Sequence, residues 1–114
     1  MRIFLSLLVL LSACAAPDAR TTAIVGATAL LPGGESIADS VAVVKGTRLI
    51  RLGTRAETPI PAGSDKVDGA GKYLLADPDA GGELRQGARA NLVLASDPAG
   101  APPRTTMREG KWLQ

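Results

Sequence analysis

Glycine and proline set the first limit on this chain. Gly 13 and Pro 8 are spread through 114 residues, and both residues punctuate secondary structure. The segments between them are short and rich in β-branched and apolar residues, which predicts short strands joined by turns. Thr21 to Leu31 (TTAIVGATALL) reads as a first strand, ended by Pro32-Gly33-Gly34. Ser40 to Lys45 is a second and Thr47 to Leu52 a third, with Arg48 and Arg51 facing solvent. Lys45-Gly46 between them suits a tight hairpin, because glycine accepts positive φ. Glu57 to Ser64 carries two prolines and reads as a loop. Asp65 to Asp68 and Lys72 to Leu75 are a fourth and a fifth strand, separated by Gly69-Ala70-Gly71. A short acidic, glycine-rich turn follows, and a strand-like segment restarts near Ala90. Thr105 to Leu113 reads as a closing hairpin about Glu109-Gly110. The fold class this predicts is all-β.

The length leaves room for one small domain. Hydrophobic residues are 46% of the chain, but part of that total lies in the first dozen residues and builds no core. Aromatic residues are only 3%, so the core must be Val, Ile, Leu and Ala. The formal charge is +2 with the basic residues dispersed along the sequence, which argues against nucleic acid as a partner. There is no histidine, which removes the usual general base at neutral pH and the commonest metal ligand. A single cysteine rules out an intrachain disulfide.

The first residues form a separate unit. Met1-Arg2 is a charged start, Ile3 to Leu11 is apolar apart from Ser6, and small residues precede Cys14. This is the layout of a secretory signal. The apolar run is too short to cross a bilayer, which takes roughly 20 residues. Leu11-Ser12-Ala13-Cys14 resembles the lipobox of bacterial lipoproteins, which implies lipidation of Cys14. Acylation accounts for a lone thiol in an oxidising compartment, where the alternative is a leftover free cysteine. The expected organisation is a signal peptide over 1–13, a lipidated tether over 14–20 and a β domain over 21–114. Ala15 and Ala16 follow the cysteine, with no aspartate directly after it. By analogy with enteric bacteria, this implies the periplasmic face of the outer membrane.

The order of the strands and turns resembles the small composite β-sandwich of the amidohydrolase superfamily. The residues that carry the resemblance are Val41, Val43, Gly46, Leu49 and Gly53, then Pro59, Pro61, Val67, Asp68, Gly71, Lys72 and Leu74. In that family a catalytic barrel follows, opening with paired metal-binding histidines. This chain departs at Ala76 and runs Asp77-Pro78-Asp79-Ala80-Gly81-Gly82. Gly82, Leu84, Gly87, Ala90, Leu92, Val93 and Leu94 resemble the family's return from the barrel, with Asn91 where aspartate is usual. Asp97-Pro98 and the hairpin to Leu113 resemble its close. The resemblance implies a sandwich whose barrel, about 200 residues or more in this class, is missing between about 76 and 82. Leu75 and Leu92 are then expected in neighbouring parts of one sandwich, with no helix across Asp77 to Gly87.

Few residues are candidates for chemistry. The family's binuclear metal site needs histidines that this chain lacks, so the resemblance carries over no catalytic, cofactor or metal residue. Asp77 and Asp79 could bind a hard cation, but such ions take six or more oxygens, and an Asp-Pro-Asp run also suits a plain solvated turn. Ser36 and Ser40 have no histidine to activate them. Lys45, Lys66, Lys72 and Lys111 are expected on the surface. The glycine pairs at 33–34 and 81–82 match no phosphate-binding pattern. Trp112 either caps the sandwich or anchors a partner.

The expectation is a lipid-anchored, non-catalytic binding or structural module. Its partners would be the membrane through Cys14, and a second copy or a periplasmic protein at the face the barrel would have covered. Two other readings stand beside it. One is the non-catalytic part of a metal-dependent hydrolase of carbon–nitrogen bonds, completed by a barrel subunit in trans. The other is a decayed remnant of such an enzyme.

Overall fold

The computed structural model describes residues 20–81 and 83–113. The signal peptide, Cys14 and the tether up to Ala19 lie outside the described residues, as do Gly82 and Gln114. The described chain is all-β, with one short 3-10 turn. The strands are β1 (Thr21–Leu30), β2 (Ser36–Lys45), β3 (Arg48–Thr54), β4 (Asp65–Asp68), β5 (Tyr73–Ala76), β6 (Leu92–Ala95), β7 (Arg104–Arg108) and β8 (Lys111–Trp112). They form one 8-stranded sheet in the order β3-β2-β1-β5-β6-β7-β8, with β4 paired to β1.

β1 is the axis of the domain. Along one edge it pairs antiparallel with β2 from Thr21↔Lys45 to Leu30↔Ser36. Its other edge is shared by two parallel neighbours: β4 takes Thr22 to Val25 and β5 takes Thr28 and Ala29. The change of neighbour needs a break in the ladder, and Gly26 supplies it. Its φ is 93° and the β1–β2 register shifts between Val25 and Ala27, as expected of a bulge. On either side, Gly69 N–H donates to the Val25 carbonyl (2.7 Å) and Thr28 N–H to the Lys72 carbonyl (2.9 Å).

The sheet folds over on itself into a small sandwich. Alternate residues of both halves point to one shared core: Ile24, Ala42, Val44 and Leu49 from the first three strands, Leu74, Leu92, Leu94 and Met107 from the later ones. Aliphatic side chains and alanines fill this core, as the low aromatic content requires. Backbone hydrogen bonds close one side of the fold. Leu49 N–H donates to the Ala88 carbonyl (2.9 Å), and Ala90 N–H to the Thr47 carbonyl (2.8 Å). The start of β3 is thereby tied to the segment that leads into β6.

Most expected strands are present, with shifted ends. β2 begins at Ser36 rather than Ser40, because Ser36 and Ile37 pair with the end of β1. Asp39 kinks the strand at φ 50°, a backbone region that aspartate tolerates better than most residues. β6 begins at Leu92, two residues beyond the expected restart. Arg48 and Arg51 are both exposed although three apart. A register shift between Val43 and Val44 makes this possible, since it places Ile50 as an extra residue in β3. Ile50 is correspondingly exposed.

Candidate functional site

The connection from β5 to β6 is where the sequence departs from the pattern it otherwise resembles. Its two flanks are direct neighbours: Leu75 pairs with Val93 and Ala76 with Leu92. Asp77 N–H donates to the Asn91 carbonyl at 2.9 Å, which extends the ladder by one step. Asp77 then caps a single 3-10 turn over Pro78–Ala80, and Gly81 at φ 65° ends it. No long helix crosses Asp77 to Gly87 among the described residues, and the flanks sit as expected.

Asp77 is the one carboxylate buried in this connection. Its side chain is 3% exposed and that of its partner Arg108 is 41% exposed. Oδ1 accepts the Asp79 N–H at 3.0 Å, and Oδ2 accepts Arg108 Nε–H at 2.7 Å. Burial pushes the carboxyl up. The Arg108 hydrogen bond, the Asp79 N–H and the charges of Arg108 and Arg104 pull it down by more, so it lies below the ordinary aspartate range. Asn91 performs a parallel task, its Oδ1 accepting the Glu109 N–H at 2.8 Å. An aspartate at Asn91 could accept the same bond, but would place a second acid in this half-enclosed corner.

The remaining candidates take ordinary positions. Asp79 is exposed, and no group of three or more His, Cys, Asp or Glu among the described residues is arranged to hold a metal ion. Ser40 is fully buried and its Oγ–H donates to the Ala27 carbonyl at 2.7 Å, beside the β1 irregularity. Ser36 lies exposed at the start of β2. Lys45, Lys66, Lys72 and Lys111 are exposed. Gly33 and Gly34 make a positive-φ turn. Trp112 is half-buried against the core and also lines a surface cleft.

Two hollows flank the core. One, of about 320 Å³, is lined by Leu30, Leu31, Pro32, Leu75, Ala76 and Leu84, with Glu83 at its rim. It lies at the C-terminal end of β1, against the β5–β6 connection. The other, of about 500 Å³, is an open mouth at the N-terminal end of β1. Thr22, Thr47, Lys111 and Trp112 line it, together with the Arg20–Asp65 ion pair at 2.9 Å. The turns of the two hairpins touch here, Gly110 lying against the Gly46 carbonyl. Among the described residues the large apolar side chains that stand exposed are Ile50 and Leu113.

Two solved structures resemble part of this fold. The structure of molinate hydrolase matches 53% of this chain and 13% of its own length, at 23% identity and a TM-score of 0.46. A prolidase candidate from Bifidobacterium longum matches 54% of this chain and 16% of its own, at 26% identity and a TM-score of 0.47. The chain thus spans a small part of either protein. Likenesses of this extent concern part of a fold and bring no activity with them. No family model matches the chain, and no curated protein does.

Arg108 was the site residue hardest to foresee. It lies 31 positions from Asp77, and no periodicity links the two. The one available signal was indirect: a carboxylate in a short turn between two apolar strands needs a cation or several N–H donors if it is to be buried.

Proposed function

We propose that this protein is a non-catalytic binding or structural module related to the amidohydrolases, held by lipid on Cys14 at the periplasmic face of the outer membrane. One observation carries the non-catalytic part. At the point where the resemblance implies the first metal ligands, Asp77 spends one oxygen on the Asp79 N–H and the other on Arg108. Both oxygens are thus engaged in a turn cap and an ion pair, and the sequence contains no histidine to stand in for the family's metal ligands.

The binding part rests on the hollow at the β5–β6 connection. Leu30, Leu31, Leu75 and Ala76 are each only half-buried there. By strand alternation Leu75 points away from the core that holds Leu74. An apolar recess beside a closed insertion point suits an apolar side chain from a periplasmic protein or a second copy. Envelope solubilised in detergent and passed over the tagged mature chain tests this. A protein retained in stoichiometric amount, and lost from a Leu75→Glu variant, supports the module. A chain that sediments as a monomer at high concentration and retains nothing in a Leu75-dependent way overturns it. Retention of a histidine-rich barrel protein would instead assign the chain to an enzyme completed in trans.

A further inference from the structure

The open mouth at the N-terminal end of β1 has a different character from the apolar hollow. It is where the tether joins the domain, since Arg20 lines it and leads into β1. Fully extended, the chain from Cys14 to Arg20 reaches at most about 20 Å. A lipid on Cys14 therefore keeps this end of the domain within that distance of the bilayer. At such range even a weak contact is populated, because tethering raises the local concentration to the millimolar scale or above.

The surface presented at this end has the chemistry of an interface with lipid. Trp112 lies half-buried at the mouth, and Leu113 beside it is 47% exposed. Tryptophan, with an apolar body and one N–H, favours the headgroup level. Basic residues gather around it. Lys45 faces Thr21 across the ladder, Lys66 pairs with Ala23, and Lys111 precedes the tryptophan. Among the described residues none of these three lysines enters an ion pair. The two carboxylates at this end, Asp65 and Glu109, are already held by Arg20 and Arg89. With those two acids paired, Lys45, Lys66 and Lys111 leave an excess of positive charge where the tether begins.

We infer that the mouth around Trp112 is a membrane-facing surface that rests on anionic phospholipid headgroups, with Lys45, Lys66 and Lys111 against the lipid phosphates and Trp112 at the headgroup level. This inference rests on the lipid-anchor reading. It sets the orientation of the domain rather than its attachment. The apolar hollow, at the far end of β1, is then turned toward the periplasm and free to receive a partner.

Trp112 is the single tryptophan in the sequence, so its fluorescence reports on this surface alone. The lipidated protein purified from envelope is reconstituted into vesicles of phosphatidylethanolamine and phosphatidylglycerol, some carrying brominated acyl chains. Mass analysis of the same sample reads the lipid on Cys14. The expected result is a blue-shifted Trp112 emission, quenched by shallow brominated lipid and shielded from aqueous iodide. Reversing Lys45→Glu and Lys111→Glu together is expected to reduce that quenching by roughly half or more, given the attraction of each basic residue to an anionic surface. Both side chains are exposed, so the double variant keeps its fold, which circular dichroism checks. A lipidated, anchored protein whose tryptophan is no less open to iodide in vesicles than in detergent, and is not quenched by brominated lipid, overturns the inference and leaves the anchor standing. A protein without lipid on Cys14 overturns the anchor reading and this one with it.

Discussion

Arg108 Nε donates to Asp77 Oδ2 at 2.7 Å, joining the end of β7 to the start of the β5–β6 connection. The bond is asymmetric. The acid is enclosed while much of the base is open to water. The two ends are therefore not equivalent under mutation. Removing Arg108 leaves a buried carboxylate with one N–H donor. Removing Asp77 leaves a guanidinium that water can solvate. Arg108→Ala is expected to cost about 2–3 kcal/mol and Asp77→Ala about 1–2 kcal/mol, by the usual penalty for orphaning a buried charged acceptor against losing a turn cap. Urea unfolding of both variants at neutral pH checks the order. Equal losses, or a larger loss for Asp77→Ala, would contradict the asymmetry.

The same pair predicts a pH dependence with a definite sign. The Asp77 carboxyl in the folded state lies below its ordinary value of 3.8. The unfolded chain then binds more protons than the folded one in the acid range, and stability rises with pH there. The contribution of the pair is complete well above the unfolded value of 3.8 and is lost as pH falls through that value and then the lower folded one. Asp77→Asn removes the titrating group. The stability difference between the natural protein and Asp77→Asn is expected to be flat from neutral pH down to about 5 and to shrink below that. Thermal melts across the acid range measure it. A difference that grows on acidification would reverse the sign and refute the assignment.

Much of this fold was legible in the sequence, for a local reason. Hairpins such as Lys45-Gly46 and Glu109-Gly110 announce themselves through turn chemistry and the apolar runs on either side. The flanks of the β5–β6 connection were legible through an ordered resemblance and are paired as that implied. The misses were non-local. Ser36 to Asp39 is poor strand material on its own terms, and becomes strand because β1 offers a ladder to it. That β1 divides one edge between two parallel strands is a property of the assembled sheet, which the reading of Thr21 to Leu31 as one strand does not contain. Arg108 and the two hollows depend on which distant strands meet, which turn signals do not encode.

Gly110 should be intolerant of any side chain. Its φ is 82°, and a Cβ placed there would run into the Gly46 carbonyl at the contact of the two hairpin turns. Two costs add: a left-handed backbone for a non-glycine residue, about 1 kcal/mol, and separation of the turns. Gly110→Ala is expected to destabilise the domain by about 2 kcal/mol or more, by analogy with substitutions at incompatible backbone positions. Gly33→Ala, whose added Cβ would meet nothing, carries only the backbone cost. Hydrogen exchange separates the two effects. Gly110→Ala should also lower protection of the Gly46 and Gly110 amides, which donate to the Arg20 and Ala90 carbonyls. Equal urea midpoints for the two variants would show that the turn contact contributes nothing.

The apolar hollow offers a prediction that separates binding from folding. Leu74 and Leu75 are consecutive in β5, and they face opposite sides of the sheet. Leu74 is fully buried in the core, whereas Leu75 lines the hollow and is half-buried. Leu74→Ala should therefore act on stability, with a loss of about 2–5 kcal/mol typical of a core leucine. Leu75→Glu should leave the fold largely intact, because the new carboxylate can turn outward beside Glu83 into water. It should nevertheless abolish capture of a partner, since an apolar contact would be replaced by a charge that must be desolvated. Urea midpoints and envelope pull-downs on both variants give the contrast. If Leu75→Glu unfolds the domain as Leu74→Ala does, Leu75 belongs to the core and the hollow is not a docking recess. If Leu75→Glu folds normally and still retains its partner, the partner docks on another surface.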